Sequence, residues 1–298
     1  MGKLPRTTNK LDTILYRCYR NHSLNPQDIS IRYQIVKDVS TIVRPLGMIV
    51  SVIGSLASKL SLAESDIDLV CIGPDETAEQ QVVLVQISRV LCESGYCIDH
   101  VLDKAATPII KFTCINTGIH IDMSINKHSA ILNTQLITKY VSSYDFIRPV
   151  IILVKIACQR FGINSSYQGT LSSYAIVLLV IFYFQSKNEI PPTNWEGKCK
   201  REVNSLYNDI LGFFIFYGYV FNYDEEVVCI RNGYSINKSK KFFHSYHEKC
   251  STNVCVEDPF ILDFNVTRTI STNGLRKIIT IFKIISKSLY EGDISMFH

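Results

Sequence analysis

The sequence lacks a long hydrophobic run: its longest, Tyr174 to Phe184, is 11 residues. A membrane-spanning helix needs about 20 apolar residues, so this stretch reads as a buried core helix. No apolar leader opens the chain, because Met1 to Asn21 is polar and basic. The expectation is therefore an intracellular protein with no membrane partner. Paired cysteine spacing is missing too. The ten cysteines include no Cys-x-x-Cys pair, which argues against a zinc ribbon and leaves free thiols in a reducing compartment as the reading. Charge of one sign is scarce: a formal net charge of +4 gives no general pull toward nucleic acid, so any such surface must be a local patch. No internal repeat or low-complexity tail breaks the chain. What is present, 47% apolar and 19% charged residues over 298 positions, suits one large or two ordinary globular domains.

Hydrophobic spacing divides the chain in two. A helix is expected after Pro26, carrying Ile29, Tyr33, Ile35, Val36, Val39 and Ile42, and stopping at Pro45 and Gly47. Residues 48–53 read as a buried strand running into Gly54-Ser55, and 67–72 as a second strand stopped by Gly73-Pro74. A polar helix over 75–94 and strands at 96–102, 109–112 and 119–125 complete a small mixed sheet backed by helices. After Asn133 the pattern turns helical, at 134–141, 145–160, 171–185, 203–218 and 274–290, with an irregular polar stretch at 186–202. The expectation is an α+β chain: an N-terminal helical segment (1–43) packing on the helical domain, a mixed-sheet domain (44–135) and a larger, mostly helical domain (136–298).

Three carboxylates carry the chemistry. Asp66 and Asp68 stand one residue apart at the mouth of a strand, so their side chains share a face. Asp122 lies on another apolar strand, among Ile119, Ile121 and Ile125. Carboxylates so placed suit two Mg²⁺ (or Mn²⁺) ions, which bind carboxylate oxygens and substrate phosphates. An Asp-x-Asp pair by itself is more often a turn or a solvated pair. Gly54-Ser55 one loop earlier changes the balance, since a glycine lets backbone approach a phosphate and the serine can donate to it.

Gly54-Ser55, then Ser65-Asp66-Ile67-Asp68, then an aspartate on a later strand, resembles the DNA polymerase beta-type nucleotidyltransferases. Gly169-Thr170-Leu171-Ser172-Ser173-Tyr174 and Val256-Glu257-Asp258-Pro259-Phe260 resemble the branch of poly(A) polymerases and terminal uridylyltransferases. The stretch from Leu211 to Tyr223, with Cys229 to Ile236, is similar to that branch's PAP-associated segment. Val101 to Ala105 with Thr107 to Lys111 looks more specifically like the Trf4-type poly(A) polymerases of RNA surveillance. The resemblance covers about residues 45–290 in the family's order. It implies a nucleotidyltransferase palm domain and template-independent addition of nucleoside monophosphates to an RNA 3′ end, with release of pyrophosphate. Asp66, Asp68 and Asp122 would be the catalytic metal ligands. Gly54, Ser55, Lys155 and Ser173 would hold the triphosphate, Tyr174 would stack on the base, Asn133 would contact ribose and base, and Asp258 would face the base. Read from the residues alone, Lys155 in an apolar helix equally fits a snorkelling lysine. Ser172-Ser173 equally fit a helix cap, Tyr174 a core residue, and Asn133 a cap for 134–141.

Base choice follows from departures. Phe264 stands where many uridylyl members carry a histidine that bonds uracil, Ile261 where some carry an acid, and Gln159 where some place a second triphosphate lysine. Asp258 is retained and can accept from an adenine amino group. Together with the Trf4-like stretch this favours ATP, with UTP as the alternative; the Gly169–Tyr174 motif looks closer to the uridylyl and cytoplasmic poly(A) enzymes. RNA contact is expected at Lys240, Lys241 and Phe242, where an aromatic ring sits beside cations; Lys198 to Arg201 and Arg276-Lys277 are further basic clusters. No RRM, KH domain or zinc knuckle is visible, and the resemblance implies an RNA-binding adaptor and a helicase as partners in a nuclear setting. A small-molecule nucleotidyltransferase shares the metal motif, but not residues 211–260. An inactive, binding-only relative would have lost an acid, and all three are present.

Overall fold

The computed structural model describes residues 10–73, 80–102, 108–194, 205–240 and 253–298. Two compact units divide the chain, one formed by 23–141 and the other by 1–22 with 142–298.

In the first unit, helix α2 (Pro26–Val43) starts as its sequence directs. The Asn25 side chain caps it by accepting from the Asp28 amide, and Pro26 takes the first helical position. It ends in a 3₁₀ turn, Arg44–Leu46, closed by Gly47 at φ 74°. Strand β1 (Ile49–Ile53) leads into a single turn of helix, α3 (Gly54–Ala57), and then β2 (Ile67–Ile72). Helix α4 (Gln80–Glu93), strands β3 (Tyr96–Leu102), β4 (Ile109–Cys114) and β5 (Ile119–Ile125), and helix α5 (His128–Ser143) follow. The sheet order is β1-β2-β5-β4-β3, with β2 and β5 parallel at its centre. Every second residue of those strands, Ile67, Leu69, Cys71, Ile121, Met123 and Ile125, joins Ile35, Val39 and Val43 of α2 and Leu84, Ile87 and Leu91 of α4 in one core. That alternation leaves Asp68 and Asp122 on the opposite face.

α5 begins at His128, several residues before the expected 134. The reversal before it is local: Asn126, at φ 49°, donates its amide to the Cys71 carbonyl and accepts from the Gly73 amide. Asn133 therefore lies inside the helix, and its reading as a cap fails.

The second unit holds α1 (Lys10–His22), α6 (Ile147–Arg160), α7 (Ser173–Ser186), α8 (Leu206–Ile215) and α9 (Thr272–Tyr290). α7 is apolar all round and buried, as its 11-residue run requires. α8 passes into a π-helical turn, Phe216–Val220, whose Tyr217 is buried and donates its hydroxyl to the Leu179 carbonyl at 2.9 Å. A three-stranded sheet, β6 (Glu226–Val228), β7 (Ile236–Asn237) and β8 (Cys255–Val256), lies in a region expected to be helical or irregular. Strands of two or three residues are too short to show an alternating pattern. No helix among the described residues is long and apolar enough to cross a membrane. None of the eight described cysteines forms a disulfide.

The loop before α7 is locked to the start of α9. Gly169, at φ 71°, accepts the Ser271 amide, and Ser271 caps α9 by accepting from the Gly274 amide. A Cβ on Gly274 would lie 1.9 Å from the Gly169 carbonyl oxygen. Gly274→Ala is therefore expected to destabilise this unit by about 1–3 kcal/mol, read as an earlier urea midpoint. Asn273→Ala, exposed on the same turn, should leave the midpoint in place; equal midpoints for the two variants would contradict the close approach.

Candidate active site

The carboxylates are placed by sheet register. Asp68 of β2 is the Cα partner of Asp122 in the parallel pairing with β5, and of Ile53 in the antiparallel pairing with β1. Asp122 is in turn the partner of Lys111 on β4. One row thus crosses four strands, Ile53, Asp68, Asp122 and Lys111, at the usual spacing of about 4.8 Å between neighbours. Gly54, directly after Ile53, adopts φ 65°, and a Cβ there would sit 2.4 Å from Asp68 Oδ2. Glycine is demanded twice at this position, by its dihedral and by the carboxylate beside it. Its amide donates to Thr134 Oγ1 at 3.0 Å, tying the loop to α5. Ser55 Oγ shares a 3.0 Å hydrogen bond with Ser61 Oγ, and the Leu62 amide donates to Ser65 Oγ at 2.9 Å. Beneath this loop Arg32, 5% exposed, donates from Nη2 to the Ala63 carbonyl at 2.7 Å.

Crowded negative charge is the electrostatic signature of the row. Burial of its carboxyl and the charge of Asp122 hold Asp66 above the ordinary carboxylate value, with His120, Lys111 and Arg32 pulling it back. Lys111 Nζ forms an ion pair with Asp122 Oδ2. Among the described residues, no group of three or more His, Cys, Asp or Glu side chains forms a ready-made metal site. The donor chemistry nevertheless fits a hard divalent cation: adjacent carboxylates in register, a third crowded against them, and a cradle beside Asp68 that any Cβ would fill.

The helical unit gathers a second set. Lys155 of α6 is 4% exposed, while Gln159 one turn on is exposed. Thr170 Oγ1 bridges the amide and carbonyl of Ser165, shaping the loop that delivers Ser172 as the cap of α7. Ser173 follows on the surface and Tyr174 is half-buried. Tyr174 donates its hydroxyl to Asp258 Oδ2 at 3.2 Å, and burial first, then the Asp258 charge, pushes the phenol up. Asp258, 2% exposed, also accepts from the Phe260 and Ile261 amides through Oδ1, at 2.9 and 3.0 Å. Its own amide donates to the Phe264 carbonyl, closing the 258–264 loop. The Arg268 guanidinium stacks over the Phe264 ring at 4.2 Å. Glu257, the residue before, is buried and accepts from Cys229 Sγ and Arg231 Nε.

The remaining expected RNA contacts divide. Lys240 is exposed at the end of a 3₁₀ turn, whereas Lys241, Phe242 and Lys198 to Arg201 lie outside the described residues. Lys277 donates to the Gly162 carbonyl. Sequence reasoning missed Lys111, Arg32 and Thr134 as parts of the first set. Only Lys111 carried a signal, as an isolated cation on a strand facing the Asp122 strand.

Known proteins resemble the chain throughout. Residues 11–142 match the family model for the central palm domain of mitochondrial-like poly(A) RNA polymerase, and residues 210–264 that for Cid1 family poly A polymerase. The terminal uridylyltransferase cid1 of Schizosaccharomyces pombe is 31% identical over 282 residues, covering 79% of this chain and 67% of that protein. Poly(A) RNA polymerase cid11 of the same yeast is 25% identical, covering 93% of the chain and 62% of the relative. The chain therefore spans about two thirds of the length of these relatives. Among solved structures, the Cid1 poly(U) polymerase with Mg and 3′-dATP superposes with a TM-score of 0.85 at 26% identity, over 98% of this chain and 99% of that one. These relatives include both base choices. The finer likeness to the Trf4-type branch rests on the residues around Leu102 and Pro108, and 103–107 lie outside the described residues.

The raised Asp66 carboxyl gives a signed expectation. The folded protein holds that proton more tightly than the unfolded chain, so ionisation costs stability above the folded pKa and costs nothing below the unfolded one. Asp66→Asn should raise the melting temperature of metal-free protein near pH 7.5, with the gain shrinking as pH falls into the carboxylate range. A variant less stable than wild type at pH 7.5 would contradict this.

Proposed function

The chain belongs to the family of Cid1-type poly(A) polymerases and terminal uridylyltransferases, and from that premise we propose that it adds AMP from ATP to an RNA 3′-hydroxyl, with UTP as the alternative donor. The observation that carries this reading is the register of Asp68 and Asp122 beside Gly54. A nucleotidyl transfer must position an RNA hydroxyl against an α-phosphorus and offset the charge that leaves as pyrophosphate. Asp66, Asp68 and Asp122 would hold two Mg²⁺ ions, which when bound make the hydroxyl a better nucleophile and neutralise the triphosphate. Gly54 would let the backbone come close to a phosphate, and the Ser55 hydroxyl would donate to it. The family resemblance assigns Lys155 and Ser173 to the phosphates as well. The same resemblance assigns Tyr174, whose hydroxyl is held by Asp258, to the base. Asp258 thus acts through Tyr174 and the 258–264 loop as well as through any direct bond to the base. Asn133 is kept as a ribose and base contact, now from within α5.

Base choice is carried by Phe264. Its ring offers no hydrogen-bond donor to uracil and is covered by Arg268, which supports ATP. The family resemblance implies an RNA-binding adaptor and a helicase as partners in a nuclear setting, with Lys240, Lys241 and Phe242 as local RNA contacts.

Purified chain incubated with labelled RNA, Mg²⁺ and each NTP in turn should extend the RNA, with ATP preferred. Asp68→Asn should lower extension by about 10²–10³-fold. Phe264→His should raise UTP use relative to ATP. Wild-type extension by Asp68→Asn would overturn the site, whereas preferential UTP use by the unaltered chain would overturn only the base.

A further inference from the structure

The ion pair between Lys111 and Asp122 stands outside the roles assigned so far. The two residues are cross-strand partners in β4 and β5, so the backbone register itself delivers the ammonium to the carboxylate. Lys111 Nζ meets Asp122 Oδ2, one of the oxygens needed to hold a cation. Arg32 and His120 act on Asp66, but their hydrogen bonds lead away from Asp122: Arg32 Nη2 donates to the Ala63 carbonyl, and His120 Nδ1 shares a bond with Thr113 Oγ1 at 2.8 Å, with Asp99 Oδ2 3.8 Å away. The Lys111 and Asp122 side chains are 37% and 25% exposed. A pair this open to solvent is weak, so a divalent ion can compete for the same oxygen.

We propose that Lys111 is the built-in counter-ion of the carboxylate row, a positioning residue that holds Asp122 in metal-free protein and gives up Oδ2 when a divalent cation arrives. This rests on the metal role proposed for Asp66, Asp68 and Asp122. The consequence is a division of labour. Without metal, the ammonium offsets part of the repulsion among the acids and keeps Asp122 aligned beside Asp68. With metal, it is a positive charge that the incoming cation must displace, so free metal binds more weakly than three carboxylates alone would allow. Full occupancy then depends on the extra oxygens that a nucleotide triphosphate brings with its own metal.

Mn²⁺ titration followed by the electron paramagnetic resonance of the free ion, together with melting of metal-free protein, tests this without an activity assay. Lys111→Met should bind Mn²⁺ about three- to tenfold more tightly than wild type, the range expected when a half-exposed opposing charge is removed. It should also melt earlier without metal and gain more on Mn²⁺ addition. Lys111→Arg, which keeps the charge, should stay close to wild type. If Lys111→Met fails to fold, Lys111→Gln is read by the same criteria. Unchanged or weaker Mn²⁺ binding in the neutral variant, with wild type binding normally, overturns the counter-ion role alone. A wild type whose Mn²⁺ binding survives Asp122→Asn overturns the metal reading beneath it.

Discussion

Asp68 and Asp122 lie side by side because β2 and β5 run parallel in one particular register, with Gly54 leaving the space that Asp68 occupies. A slip of one residue in either strand would turn that strand's carboxylate into the core and bring its apolar residues, Ile67 and Leu69 or Ile121 and Met123, to the open face. Burial of those apolar side chains against α2 and α4 therefore fixes the position of the acids. The stability of the sheet and the geometry of the site are the same constraint seen from two faces. The cost is electrostatic: burial first and then the Asp122 charge raise the Asp66 carboxyl, and the Lys111 ammonium stands beside Asp122.

The helical unit solves a different problem, which is to hold polar groups still inside an apolar setting. Asp258 is buried yet fully used, accepting the Tyr174 hydroxyl and two loop amides. Glu257, buried next to it, is neutralised by Arg231 and bonded to Cys229. Two adjacent acids thus look in different directions, one fixing the 258–264 loop and the other anchoring the end of β8. Gly169 and Gly274 let the loop before α7 touch the start of α9, which sets where Ser173 and Tyr174 emerge.

Much of this was legible in the sequence. The strands carrying Asp68 and Asp122 announced themselves by alternating apolar residues, and α7 by an unbroken apolar run. The helix start at Pro26, the stops at Pro45 and Gly47 and the cap at Ser172 matched their local chemistry. The start of α5 escaped because it depends on Asn126 reaching across to Gly73 and Cys71, a contact between residues far apart in the chain. The small sheet of β6, β7 and β8 escaped because its strands are too short for any period. Lys111 as the partner of Asp122 needed the register of two strands, and Gly274 needed a carbonyl contributed by a loop more than a hundred residues earlier. Local pattern reports local structure; the pairing of distant residues is decided by packing.

The central claim, that the register of β2 and β5 builds a metal-holding carboxylate pair, is tested most directly by crystals grown with Mn²⁺ and a non-hydrolysable ATP analogue. An anomalous difference peak within about 2.0–2.4 Å of carboxylate oxygens of both Asp68 and Asp122 is the expected result. A nucleotide bound with its Mn²⁺ away from those two side chains would contradict it.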